Sequence, residues 1–193
     1  MKLKVLLLGH SYVRDLEGLG HNAYTVEGVT FELQNMHISG GTFESFIDGG
    51  DLLRQAFSFC PDIVIVILGG NDLTNAVTNE EFYQRCRTFY VKLKAGMPGA
   101  FIIHAQIELR FYKSGNRWNA PVINDYKKRR VTLNNFLKRV KCSNAIMMIG
   151  GPNRMDCKAY YRDGVHLNRV GLVKYFDILK GTLQYHSDKM RRK

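Results

Sequence analysis

Two stretches of the chain, LKVLLLG at residues 3–9 and IVIVILGG at residues 63–70, are nearly unbroken apolar runs that end in glycine. A strand with one wet face alternates polar and apolar residues. A strand without that alternation is buried on both faces, and such strands occur in parallel sheets covered by helices on each side. Weaker runs of the same kind are VTFELQNMH (29–37), AFIIHAQI (100–107) and AIMMIGG (145–151), and helical patterns occupy about 43–58, 79–96, 122–141 and 168–186. Strands that alternate with helices in this way predict an α/β chain. The expected form is a three-layer α/β/α sandwich with a five-stranded, mostly parallel sheet, right-handed crossovers, and runs 3–9 and 63–70 at its centre. With 193 residues the chain fits one domain, with a short basic tail at about 187–193.

Composition narrows the class further. Hydrophobic residues make up 45% of the chain, too many for a disordered polycation, and the 18 glycines and 4 prolines show no period. The opening MKLKVLLLG has the lysines of a secretory leader, but its apolar part stops at Gly9 and is followed by His10, Arg14 and Asp15. A first buried strand accounts for it better. No run of about 18 uncharged apolar residues occurs, so no membrane span is expected. Cys60, Cys86, Cys142 and Cys157 are scattered without C-x-x-C or zinc-type spacing. Reduced thiols and an intracellular, cytoplasmic or nuclear, setting are the expectation.

In a sheet of this kind chemistry gathers beyond the carboxyl ends of the strands. Four polar blocks fall there. Gly9-His10-Ser11 ends the first strand, where Ser11 is either an exposed hydroxyl or an ordinary helix cap. Ser39-Gly40-Gly41-Thr42 follows the second, and its glycines either bring a backbone N–H close to a ligand or only turn the chain. Gly69-Gly70-Asn71-Asp72 follows the third, where Asn71 can donate through its amide and Asp72 can cap the next turn. Asp163-Gly164-Val165-His166 precedes the last helix. A carboxylate three residues before an imidazole can accept its Nδ1–H and leave Nε2 as a base, or form a mere surface ion pair. Each block has an ordinary structural explanation. Together they supply a nucleophile, oxyanion donors, a base and its orienting acid at one edge of one sheet.

Taken in order, these blocks make the chain resemble the SGNH hydrolases, the GDSL-type esterase and lipase superfamily, over nearly its whole length. The resemblance implies a flavodoxin-like SGNH hydrolase fold and acyl transfer without a metal or organic cofactor. It implies Ser11 as nucleophile, His166 as base and Asp163 as its orienting acid. The oxyanion hole would comprise Ser11, Gly40 and Asn71, with Gly41 an alternative to Gly40. The expected substrate is a small, short-chain acyl or acetyl ester, and longer acyl chains or thioesters are the variants of that expectation. His10 stands where the family usually has Asp, a departure that can alter local hydrogen bonding and place a charge beside Ser11 at mildly acid pH. The Gly-His-Ser form is similar to esterase-type domains carried in some retroelement open reading frames.

The formal charge of +11 is local. Segments 127–141 and 189–193 hold eleven basic residues and no acidic one, and the rest of the chain is neutral. Lys127, Lys128, Arg129, Arg130, Lys138, Arg139 and Lys141 form either a polyanion site for nucleic acid or an anionic membrane surface, or a solvated helix face packed through Val131, Leu133, Leu137 and Val140. Around the 113–121 loop, Phe111, Tyr112 and Trp118 are aromatic, and His10, Tyr112 and Trp118 are candidates for a substrate pocket. The catalytically weak alternative is a hydrolase scaffold that serves as a binding module through these basic segments.

Overall fold

The computed structural model describes residues 1–75, 77–111, 120–139, 144–147 and 158–191. Six strands form one sheet: β1 (Lys2–Gly9), β2 (Ala23–Val26), β3 (Val29–His37), β4 (Ile63–Ile67), β5 (Phe101–Ala105) and β6 (Ala145–Met147), in the order β2-β3-β1-β4-β5-β6. Five are parallel and correspond to the five expected runs, with β1 and β4 central. Without β2 this is the flavodoxin order. The short β2 is an addition to the sequence reading. It pairs antiparallel with β3 at the edge, and its alternately exposed residues give no continuous apolar signal.

The two apolar runs show why they lack alternation. Val5 and Leu7 of β1, with Ile63, Ile65 and Ile67 of β4, pack on one face beneath α1 (Ser11–Glu17) and α7 (Arg169–Arg191). Leu6 and Leu8, with Val64 and Val66, pack on the other beneath α2 (Phe43–Asp48), α3 (Gly50–Phe59), α5 (Asn79–Gly96) and α6 (Ala120–Arg139). Each fully buried aliphatic side chain of this kind contributes about 1.5–3 kcal/mol. The result is the expected three-layer sandwich.

Two helices depart from expectation. The pattern over 43–58 breaks into α2 and α3 at Gly49, whose ψ of 55° is not helical; adjacent glycines there hold the backbone weakly. At the other end α7 runs through Arg191, into the segment expected as a free tail. Leu179, Leu183 and Ser187 are buried at four-residue spacing, and this stripe docks the helix beyond residue 186. No helix among the described residues is long and apolar enough to cross a membrane.

Candidate active site

Parallel pairing aligns the carboxyl ends of β3, β1 and β4, with Gly9 opposite both His37 and Ile67. Ladder bonds continue one residue further: His10 N–H donates to Ile67 O at 3.2 Å, and Ile38 N–H donates to Gly9 O at 3.0 Å. The first three polar blocks therefore leave the sheet side by side. Gly9 permits this, since a Cβ there would sit 2.3 Å from Ile67 O.

Helix α1 starts at Ser11, and the cap is His10. The Nδ1 of His10 accepts the Tyr12 N–H at 3.4 Å, which removes the reading of Ser11 as the cap. Ser11 is 8% exposed, and no hydrogen bond to its Oγ occurs among the described residues. His10 is only 3% exposed, so it is a buried cap and not the pocket wall expected from the sequence. Burial, then the charges of Arg110 and His166, push its pKa down to about 3. The expected charge beside Ser11 at mildly acid pH is therefore absent, and with Nδ1 accepting, the ring proton sits on Nε2.

In the glycine block, Gly41 N–H donates to Ile38 O at 2.8 Å, which closes a turn over Ile38–Gly41. Gly40 occupies its third position with φ +73°, the value a type II turn requires there. The turn consumes the Gly41 N–H. That of Gly40 has no partner among the described residues and lies at an exposed position, which favours Gly40 over Gly41 as a donor to a ligand.

Asn71 lies in the short helix α4 (Gly70–Thr74). Its Nδ2 donates to Gly41 O at 3.1 Å, and its Oδ1 accepts from Arg110 at 2.8 Å. Its second Nδ2 proton has no partner among the described residues. Asp72, expected to cap the next turn, reaches a different element. It is fully buried and its carboxylate accepts the Phe43 N–H at 3.2 and 3.4 Å, the first N–H of α2 after its cap Thr42, which ties the third block to the second. Burial pushes its pKa up to about 6 despite the backbone N–H groups of Phe43 and Asp72 and the charge of Arg85.

In the last block Asp163 Oδ2 lies 2.7 Å from His166 Nδ1, and Asp163 Oδ1 accepts the N–H groups of Val165 at 2.8 Å and His166 at 2.6 Å. Partial burial pushes the Asp163 carboxyl up, but the hydrogen bonds from the His166 ring, the His166 N–H and the Val165 N–H outweigh it and hold the pKa at about 2. An ionised Asp163 keeps the ring proton on Nδ1 and leaves Nε2 as an acceptor. More than a surface ion pair is present, because the loop is anchored at both sides. Tyr12 donates its hydroxyl to Val165 O at 2.5 Å, and Phe111 N–H donates to Gly164 O at 2.7 Å.

Sequence reading ran the strand pattern to 107 and named Phe111, but missed Glu108 and Arg110 of the segment 106–111. Asn134 of α6 accepts the Ile107 N–H at 2.8 Å and donates to Ile107 O at 3.1 Å; Arg130 also donates to Ile107 O, and Tyr126 donates to Glu108 O at 2.9 Å. Thus clamped, the segment delivers Arg110 to Asn71 and Phe111 to Gly164. Its one sequence signal is the alternation of Gln106, Glu108 and Arg110 with Ile107, Leu109 and Phe111, which continues the strand pattern past residue 105. Glu108 is buried and accepts from Tyr175 at 3.1 Å. Burial pushes its pKa up to about 7 against the pull of Tyr175, Arg110 and Arg130.

The basic segment divides. Lys127, Lys128, Lys138 and Arg139 are exposed. Arg129 and Arg130 turn inward, a correction to the seven-residue polyanion set: Arg129 donates to Leu73 O, Val77 O and Asn79 Oδ1, and Arg130 to Ile107 O. The packed stripe is also shifted, with Tyr126, Leu133 and Leu137 buried and Val131 exposed. Tyr112, Trp118, Val140 and Lys141 lie outside the described residues.

No protein-family model matches the chain, and no curated protein matches it. Solved structures do. An acetylxylan esterase, Axe2 from Geobacillus stearothermophilus, superposes with a TM-score of 0.59 over 92% of each chain at 18% identity. The psychrotrophic esterase EstA from Pseudoalteromonas sp. gives 0.59 over 94% of this chain and 98% of its own at 16% identity. A GDSL-like lipase from Bacteroides thetaiotaomicron gives 0.61 over 97% and 88% at 17% identity. The fold is that of the SGNH hydrolases. At these identities the likeness concerns the SGNH fold and carries no residue role across.

Proposed function

We propose that this chain is an SGNH-type serine esterase that hydrolyses small, short-chain acyl esters, acetyl esters among them, through an acyl-enzyme on Ser11. The observation that carries the reading is the Asp163–His166 pair at 2.7 Å, on a loop that Tyr12 ties to the helix beginning at Ser11. His166 Nε2 takes the proton as Ser11 Oγ attacks the ester carbonyl, and Asp163 stabilises the imidazolium. The Ser11 and Gly40 N–H groups and the remaining Asn71 Nδ2 proton hold the oxyanion; each such donor is worth roughly 100- to 1000-fold in rate. The imidazolium then protonates the leaving alcohol. Water attacks the acyl-enzyme with His166 again as base, and Ser11 is regenerated. Axe2 and EstA, which share this fold, are esterases, and this supports the same reading.

Hydrolysis of p-nitrophenyl acetate by wild type and Ser11→Ala, with fluorophosphonate labelling and mass mapping of the adduct, tests it. Turnover and label are expected in wild type only, with the label on Ser11. Equal rates in the two proteins overturn the assignment.

A second reading is a catalytically weak scaffold that binds nucleic acid or an anionic membrane surface, as in a retroelement protein. It is favoured by Lys127, Lys128, Lys138 and Arg139, four exposed cations with no ion pair among the described residues.

A further inference from the structure

We infer that Arg110 is a positioning residue for the oxyanion site, holding the Asn71 amide so that its nitrogen, and not its oxygen, is presented to the reacting carbonyl. This rests on the esterase reading above. A primary amide fits its space almost equally well in two orientations, and its neighbours must choose between them. Both neighbours of Asn71 play one role only. Gly41 O can only accept, and the Arg110 guanidinium can only donate. A flipped Asn71 would face acceptor with acceptor and donor with donor, so both bonds would be lost. It would also turn a carbonyl dipole against the developing oxyanion.

Arg110 is built in for this contact. It is 6% exposed and sits with its guanidinium 5.2 Å from the centre of the Tyr126 ring. Its backbone belongs to the segment clamped by Tyr126, Arg130 and Asn134 of α6, and the next residue donates to Gly164 O. Gly70 leaves room, since a Cβ there would lie 3.3 Å from an Arg110 terminal nitrogen. A cation on Oδ1 also polarises the amide, which makes the remaining Nδ2 proton a stronger donor. Arg110 itself need not touch substrate.

Arg110→Met and Arg110→Gln are compared with wild type on p-nitrophenyl acetate, each also in an Asn71→Ala background. Arg110→Met is expected to lower kcat about 10- to 100-fold with KM within about 2-fold, and to cost nothing further once Asn71 is alanine. Arg110→Gln, which keeps a donor without the charge, should recover part of the loss and serves if the Met variant does not fold. The second readout is the Asn71 side-chain resonance pair in a proton–nitrogen NMR spectrum, which should shift and exchange faster in both variants. Unchanged kcat, a loss that persists in the Asn71→Ala background, or an unmoved Asn71 pair overturns the inference. Absence of ester turnover in wild type defeats the esterase reading instead, and the NMR comparison alone then decides whether Arg110 orients Asn71.

Discussion

The Tyr12 hydroxyl donates to the Val165 carbonyl at 2.5 Å, so the residue after Ser11 holds the residue before His166 across 153 positions of sequence. Tyr12 is buried, and burial pushes its pKa well up, so the hydroxyl remains a donor throughout the working range. Tyr12→Phe keeps the ring packing and removes this bond together with the side-chain hydrogen bond to Tyr161. The expected cost is about 1 kcal/mol of stability, or roughly 2–4 °C in Tm for a chain of this size. A looser His166 loop should lower kcat several-fold with little change in KM. Thermal melts and steady-state kinetics check both, and a kcat equal to wild type would show that the loop holds its place without Tyr12.

Gly40 and Gly41 should respond differently to alanine. At Gly40 there is open space, and the only penalty is the positive φ, about 1 kcal/mol. At Gly41 a Cβ would meet Ile38 O at 2.8 Å and the Phe46 ring at 3.2 Å, so Gly41→Ala should cost more stability. Gly40→Ala should fold but lose activity as the turn shifts its N–H. A Gly40→Ala protein with full kcat would transfer the donor role away from Gly40.

Glu108 and Asp72 should contribute less stability as pH rises from about 4 to above 7, while the buried His10 and His104, with pKa values lowered by burial to about 3, contribute more as pH rises toward 6.5. Glu108 and Asp72 both have pKa values raised by burial, to about 7 and about 6, from ordinary values of 4.5 and 3.8. A carboxyl whose folded pKa lies above its unfolded one binds more protons when folded. Its stabilisation is therefore complete below the unfolded pKa and is lost as pH passes the folded one. Asp163 acts oppositely: held at about 2, its contribution is present above 3.8 and disappears only below that. Urea midpoints of wild type and Glu108→Gln at about pH 5 and pH 8 isolate the Glu108 part, with the variant expected to gain on wild type between the two because its amide oxygen can still accept from Tyr175 without ionising. A wild-type-minus-variant difference that is the same at both pH values would contradict the raised Glu108 value.

If the exposed face of α6 binds nucleic acid, replacing Lys127, Lys128, Lys138 and Arg139 together by Gln should weaken retention on duplex DNA. It should also reduce the slope of log affinity against log salt by up to about 4. Anionic vesicles in parallel distinguish a membrane surface. Arg129→Gln should leave retention largely unchanged and lower Tm, because its guanidinium is bound to Leu73 O, Val77 O and Asn79. Retention unaffected by the fourfold change would remove the second reading.

How much was legible in the sequence follows from the range of the forces involved. The sequence by itself determined the parallel strands, because burial on both faces demands unbroken apolar runs such as 63–67, and it determined α5, whose Thr78 and Glu81 form a capping box. The four polar blocks were visible for the same reason, since each sits in a short turn fixed by neighbours in sequence. Only the tertiary structure decided that His10 is a buried neutral cap, that Asp72 reaches Phe43, and that Arg129 and Arg130 turn inward. The same is true of Arg110 on Asn71 and Tyr12 on Val165. The His10 cap is local and only its burial is tertiary; the other contacts join residues far apart in the chain through directional hydrogen bonds, which impose no period on the sequence and exist only once the sheet and helices have packed.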